Sequence, residues 1–240
     1  MRRVRVTAVE LPYEATSDRM NKAFWALAAV TALMFAFAPV AIAGAPYEST
    51  MLLVQKIFYF HFSTWMALTA AVVICGTGSA IYLFKGSATA DRLAFAAAEL
   101  TVVFGAFGLV SGSLWARKAW GHWWQWDNRL TMALLLELVF IGYLLVRKYG
   151  GPGAEKLSAA MGIFGAATAP FVYKSVDWWR TIHPKTSVMR SLGTTSPEMW
   201  RVVWFCTFAF LLLFTLLLVV RVHLEERRAE LDRLYLEAEG

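Results

Sequence analysis

Charge is what this sequence is shortest of. Only 17% of its 240 residues are charged and 58% are apolar, whereas soluble domains carry about 25% charged residues. The deficit excludes an ordinary soluble globule and points to a membrane protein. Cysteine is almost missing. Cys75 and Cys206 each lie inside an apolar run, so there is no disulfide framework, no CxxC pair and no CxxCH sequence. Both read as buried thiols acting as small hydrophobes. No GxxxxGK[S/T] run is present, so the chain cannot hydrolyse ATP through a P-loop on its own. Lys and Arg form no stripe or patch, so the net charge of +6 does not mark a nucleic-acid partner. No internal repeat is visible. The first 22 residues hold five cations, three anions and no long apolar core. They do not read as a signal peptide, and the first span is expected to be an uncleaved anchor.

Long apolar runs, by contrast, are plentiful. A span needs about 20 largely apolar residues. Six stretches answer to that: Ala23–Ala43, Ile57–Phe84, Leu93–Trp115 with Glu99, Leu130–Val146 with Glu137, Leu157–Val172 ending beyond Pro170, and Val202–Val220. The pattern predicts an all-α polytopic membrane protein with six transmembrane helices, a Trp-rich external loop between helices 3 and 4, and a cytosolic C-terminal helical extension. The connections alternate in charge. Both termini, Lys85–Arg92 and Arg147–Lys156 hold 14 of the 23 cations. Pro46–Lys56, Ala116–Arg129 and Tyr173–Arg201 hold nine. The positive-inside bias puts both termini in the cytoplasm and the other loops outside. Residues 1–222 read as one membrane domain and 223–240 as a cytosolic helical tail. His223–Glu239, with charges among spaced leucines, suits either a solvated tail or a docking helix.

The outer loops are as rich in tryptophan as the chain is poor in charge. Ten of the eleven tryptophans fall on that side. Single tryptophans at a membrane edge form an ordinary aromatic belt, which accounts for Trp25, Trp200 and Trp204. It does not account for Trp115, Trp120, Trp123, Trp124 and Trp126, five within 12 residues, with Trp178 and Trp179 in the next outer loop. Trp65 lies near the same end of the second span. Indole faces stack on flat apolar ligands over a wide area. Three of four histidines share that side: His61, His122 and His183. His223 lies in the charged tail. Porphyrin iron takes axial imidazoles, so a Trp platform flanked by His61 and His183 suits a haem. Arg117, Lys118, Arg129 and Arg180 are candidate propionate partners, and Asp127 reads as orienting Arg129 or an indole. Glu99 and Glu137 are candidates for ligand passage or proton handling, against a structural hydrogen bond.

The run Trp120-Gly-His-Trp-Trp-Gln-Trp-Asp-Asn-Arg-Leu-Thr131 resembles the tryptophan-rich "WWD" motif, WGxWWxWDxRLT, of the cytochrome c assembly proteins. Over about residues 20 to 222 the chain is similar to the cytochrome c maturation protein C family within that group. Gly112–Ala116 before the motif and Ser175–His183 after it fit the same pattern. The resemblance implies a platform of Trp115, Trp120, Trp123, Trp124, Trp126, Asp127 and Arg129, with Trp178 and Trp179 nearby, and axial ligation of haem iron by His61 and His183. It implies haem b as a transported ligand, held at the periplasmic side of the bacterial inner membrane and passed on without catalysis. The partners it implies are a membrane-anchored haem chaperone, an ABC transporter ATPase with a second membrane subunit, and a small single-span protein. Two positions depart from the family: His122, where a small or hydroxyl residue is common, and Phe62-Ser63-Thr64, where a proline commonly follows the histidine.

Two other classes use comparable parts. Haem-attaching lyases and synthases carry the same motif, but with more spans and histidines deep in the membrane, which this chain lacks. A plain haem permease would move its cargo without stable binding and would show no Soret band.

Overall fold

The computed structural model of the chain describes residues 22–181, 183 and 196–239. The N-terminal cations Arg2, Arg3, Arg5 and Arg19, and most of the stretch between Trp179 and Arg201, lie outside the described residues. Among the described residues the chain is all-helical. α1 is Lys22–Gly44, α2 Ile57–Lys85, α3 Ala88–Trp120, α4 Asn128–Tyr149, α5 Ala154–Trp178 and α6 Pro197–Glu239, with a short 3₁₀ turn at Leu53–Lys56. Five of them (α2 together with that turn) are long and apolar enough to cross a membrane; α5 is not among those five. Exposed Leu33, Phe37, Phe107, Leu138, Phe164 and Phe208 give the bundle an apolar outer surface, as a protein bathed in lipid requires.

α2 is the central post, packed on α3, α5 and α6; α4 lies on α5 and α3, and α1 lies on α6. Lipid is as apolar as leucine, so close packing rather than hydrophobic exclusion must hold such helices together. Small residues provide it. Ala67, Ala71, Ala94, Ala97 and Ala98 are fully buried between α2 and α3. A methyl at Gly78 would sit 2.8 Å from the carbonyl oxygen of Ala90. Buried hydroxyls add cross-links: Ser63 Oγ donates to Tyr59 O at 2.6 Å and lies 3.2 Å from Thr207 Oγ1 on α6. Ser63 and Thr64 thus bond back along an unbroken α2, the helix that follows His61 without a proline.

The end away from the tryptophans is tied by ion pairs. Arg147 of α4 grips Asp91 of α3 with two bonds of 2.7 Å. Arg221 of α6 reaches Glu99 of α3 at 2.5 Å and Glu225 at 2.9 Å. Glu99 is therefore a helix-to-helix tie. At the other end Lys56 Nζ donates to Ala43 O at 2.7 Å, fastening α1 to the start of α2. In the loop before it, backbone N–H groups of Met51 and Thr50 donate to Glu48, and the bond from Met51 above all holds that carboxyl below its ordinary pKa.

Helix ends differ from the hydropathy pattern in three places. α3 continues past Trp115 to Trp120, so the loop before α4 is only residues 121–127 and Trp115 and Trp120 are helical. Hydropathy stops at Arg117 and Lys118, but both are good helix formers placed in a last turn, where cations suit the helix dipole. α5 carries Pro170 within it and runs on to Trp178 rather than ending near Val172. α6 passes without interruption through residues 222 and 223.

Candidate functional site

The ends of α2, α3, α4 and α5, with Trp124 and His183, line one cleft of two adjoining cavities. The first, of about 60 Å³, lies among His61, Trp65, Trp115, Trp120, Trp124, Arg129 and His183. The second, of about 160 Å³, shares His61, Trp65, Trp115, Arg129 and His183 and extends to Phe58, Met66, Leu136, Val172 and Val176. The walls are overwhelmingly apolar.

Each wall has a local cause. Gly121, at φ +81°, stops α3 by adopting the left-handed conformation that residues with a Cβ avoid. Arg117 donates to the Gly121 carbonyl and lies 6.0 Å from the Trp123 ring, bracing the turn. Asp127 then starts α4: its Oδ1 accepts from the backbone N–H of Leu130 at 2.8 Å, an N-cap contributing about 0.5–2 kcal/mol. Its Oδ2 accepts from Thr181 Oγ1 at 2.5 Å. Thr181 Oγ1 in turn accepts from the backbone N–H of His183 at 3.0 Å. One carboxylate thus begins a helix and latches the segment that carries His183. Arg129 donates to the Val172 carbonyl, pinning α4 to the end of α5 while its guanidinium borders both cavities.

His61 is edge-on to Trp115 (centroids 5.7 Å, planes 71°) and to Trp65 (6.1 Å, 72°). Trp115 lies nearly parallel to Trp120 at 6.4 Å and 21°. α3 makes room for these rings with glycines. A methyl on Gly112 would stand 3.0 Å from His61 Cε1, and one on Gly108 2.9 Å from the Trp65 ring. One turn deeper, Gly105 faces the carboxylate of Glu137, whose Oε2 is buried without a hydrogen bond. The indole N–H groups of Trp115 and Trp124 are likewise buried and unpartnered. An unmet buried donor costs about 1–3 kcal/mol; both indoles stand in the cleft wall beside Arg129.

The expected site residues divide accordingly. His61, His183, Trp115, Trp120, Trp124 and Arg129 come together in the cleft. Trp123 (58% exposed) and Trp126 (76%) face outward from the loop, Trp126 packing edge-on against Trp124. Trp178 and Trp179 pair with each other at the exposed end of α5 and do not line the cleft. Asp127 acts on the backbone and on Thr181 instead. His122 is exposed on the loop, outside the cleft lining. Residue patterns did not point to Ser111 or Gly108, and included Gly112 and Thr181 only within runs that fit the motif, with no role for either; the part each plays appears only once the chain is folded.

The CcmC family, described as "Heme exporter protein C", matches residues 7–236. Heme exporter protein C of Bradyrhizobium diazoefficiens is 33% identical over 213 residues, covering 86% of this chain and 78% of that protein. Its namesake in Paracoccus denitrificans is 31% identical over 184 residues (75% and 76%). The one in Escherichia coli K12 is 29% identical over 196 residues (76% of each chain).

Proposed function

The chain belongs to the Heme exporter protein C family, and from that premise we propose that it is a haem-handling membrane subunit of cytochrome c maturation. It holds haem b as cargo in the cleft, with iron between His61 and His183 and the ring edge against Trp115, Trp120 and Trp124. One observation carries this: two histidines from separate parts of the chain border the same two apolar cavities, beside a wall of indoles. Arg129, bordering both cavities, suits a propionate, since charge-assisted bonds from guanidinium to carboxylate are among the strong ones.

We place α5 as a sixth span, because its two ends lie at the two ends of the bundle. The tryptophan end faces the periplasm, both termini face the cytoplasm of a bacterial inner membrane, and residues 223–240 form a cytosolic tail. Exposed Trp123, Trp126, Trp178 and Trp179 form the rim that a membrane-anchored haem chaperone would meet. The ABC ATPase, its membrane subunit and a small single-span protein complete the machine. The chain transfers its cargo without making or breaking a bond in it.

The test is the spectrum of the full chain purified from membranes. Haem held by two imidazoles gives a low-spin Soret band. His61→Ala and His183→Ala should each abolish the low-spin form and stop cytochrome c maturation. Wild-type spectra and maturation in both variants would overturn the proposal.

A further inference from the structure

We propose that Ser111 is a positioning residue that fixes the tautomer of His61, so that Nε2 offers its lone pair to the cleft; this rests on the haem role above. Ser111 sits on α3, facing His61 of α2. Its Oγ lies 3.0 Å from His61 Nδ1 and 3.1 Å from the carbonyl oxygen of Gly108. A hydroxyl has one proton to give and two lone pairs to receive with. When Oγ donates to the Gly108 carbonyl, which has no proton of its own, it can only accept from Nδ1–H. Every proton then has an acceptor. The reverse arrangement, Oγ donating to Nδ1, would put the imidazole proton on Nε2. That arrangement would also take the Ser111 proton away from the Gly108 carbonyl, to which Oγ donates in the structure. The tautomer selected is therefore Nδ1–H, with Nε2 left as the ligand atom.

The rest of the setting fixes the plane of the ring. Gly112, at the Cε1 edge, leaves no room for a methyl, which would stand 3.0 Å from Cε1. Trp115 and Trp65 meet it edge to face. Two adjacent α3 residues, Ser111 and Gly112, thus hold the imidazole at Nδ1 and along its Cε1 edge. Metal-binding histidines need such an outer partner, and its loss costs about 10- to 100-fold in affinity.

The experiment uses the full chain, reconstituted with haem in detergent, comparing wild type with Ser111→Ala, Ser111→Thr and His61→Ala. Ser111→Ala should insert normally, bind haem about 10- to 100-fold more weakly, and shift from six-coordinate low-spin to five-coordinate high-spin in absorbance and EPR. Added imidazole should restore the low-spin signal, and Ser111→Thr should retain it. The proposal is overturned if Ser111→Ala matches wild type while His61→Ala loses the low-spin form. It is overturned equally if haem is lost in Ser111→Ala with no change in the spin state of what remains, since a purely structural role would do that. If His61→Ala itself keeps the wild-type spectrum, the haem role of His61 fails first, so the two failures are distinct. Should Ser111→Ala not accumulate, Ser111→Cys, with a weaker donor and acceptor, should show the same shift, and its absence would overturn the proposal.

Discussion

Asp127 performs two tasks with two oxygens, and substitutions can separate them. Thr181→Ala removes the 2.5 Å bond to Oδ2 and the acceptor for the His183 N–H, while leaving the α4 cap intact. A hydrogen bond to a charged group contributes about 1.5–3 kcal/mol net. If all of it holds His183 in place, haem affinity falls about 10- to 150-fold, at about 1.4 kcal/mol per tenfold. Asp127→Asn keeps an equally good cap but makes the bond to Thr181 neutral, so its loss should be several-fold smaller. Asp127→Ala removes both, lowering stability by a further 0.5–2 kcal/mol or about that. Thr181→Ser should resemble wild type. The assay is titration of haem into the detergent-purified chain by Soret absorbance, alongside thermal unfolding. Thr181→Ala within twofold of wild type, or Asp127→Asn as impaired as Asp127→Ala, would refute the latch.

Three further outcomes follow from the same geometry. Gly112→Ala should push the His61 ring aside, since the new methyl would lie 3.0 Å from Cε1; the low-spin band should weaken while protein level is kept, as quantitative EPR would show. Trp124→Phe should lower haem retention, whereas Trp126→Phe, at a side chain outside the cleft, should leave retention unchanged in the same titration. Asp91→Asn should destabilise the chain by about 3–5 kcal/mol, because it leaves Arg147 half-buried without its anion. Thermal unfolding would register that loss, and the haem spectrum of the folded fraction should not change.

The membrane class and the gathering of His61 and His183 at the tryptophan-rich end were legible because each depends on local residue type. Apolar runs of span length and a run of tryptophans need no partner to be noticed. The platform was only partly legible. Trp115, Trp120, Trp123, Trp124 and Trp126 look alike in a row, but the end of α3 at Gly121 turns some inward and leaves Trp123 and Trp126 outside. Hydropathy locates the bilayer rather than helix ends, so Arg117 and Lys118 hid the last turn of α3 and Pro170 hid the last turns of α5. The ties between Asp91 and Arg147, and between Glu99 and Arg221, join residues 56 and 122 positions apart. Neither distance leaves any trace in a local pattern. Ser111 is hidden for another reason: a hydroxyl in a span usually just bonds back along its own helix, and only the His61 ring opposite gives it a second task.

Two imidazoles on one iron can be counted by their nitrogens. The chain should be prepared with ¹⁵N-histidine, loaded with ferric haem and studied by pulsed EPR. Two histidine nitrogens should couple to the iron, falling to one in His61→Ala and in His183→Ala. One or none in the wild-type protein, or two in either variant, would overturn the bis-histidine site.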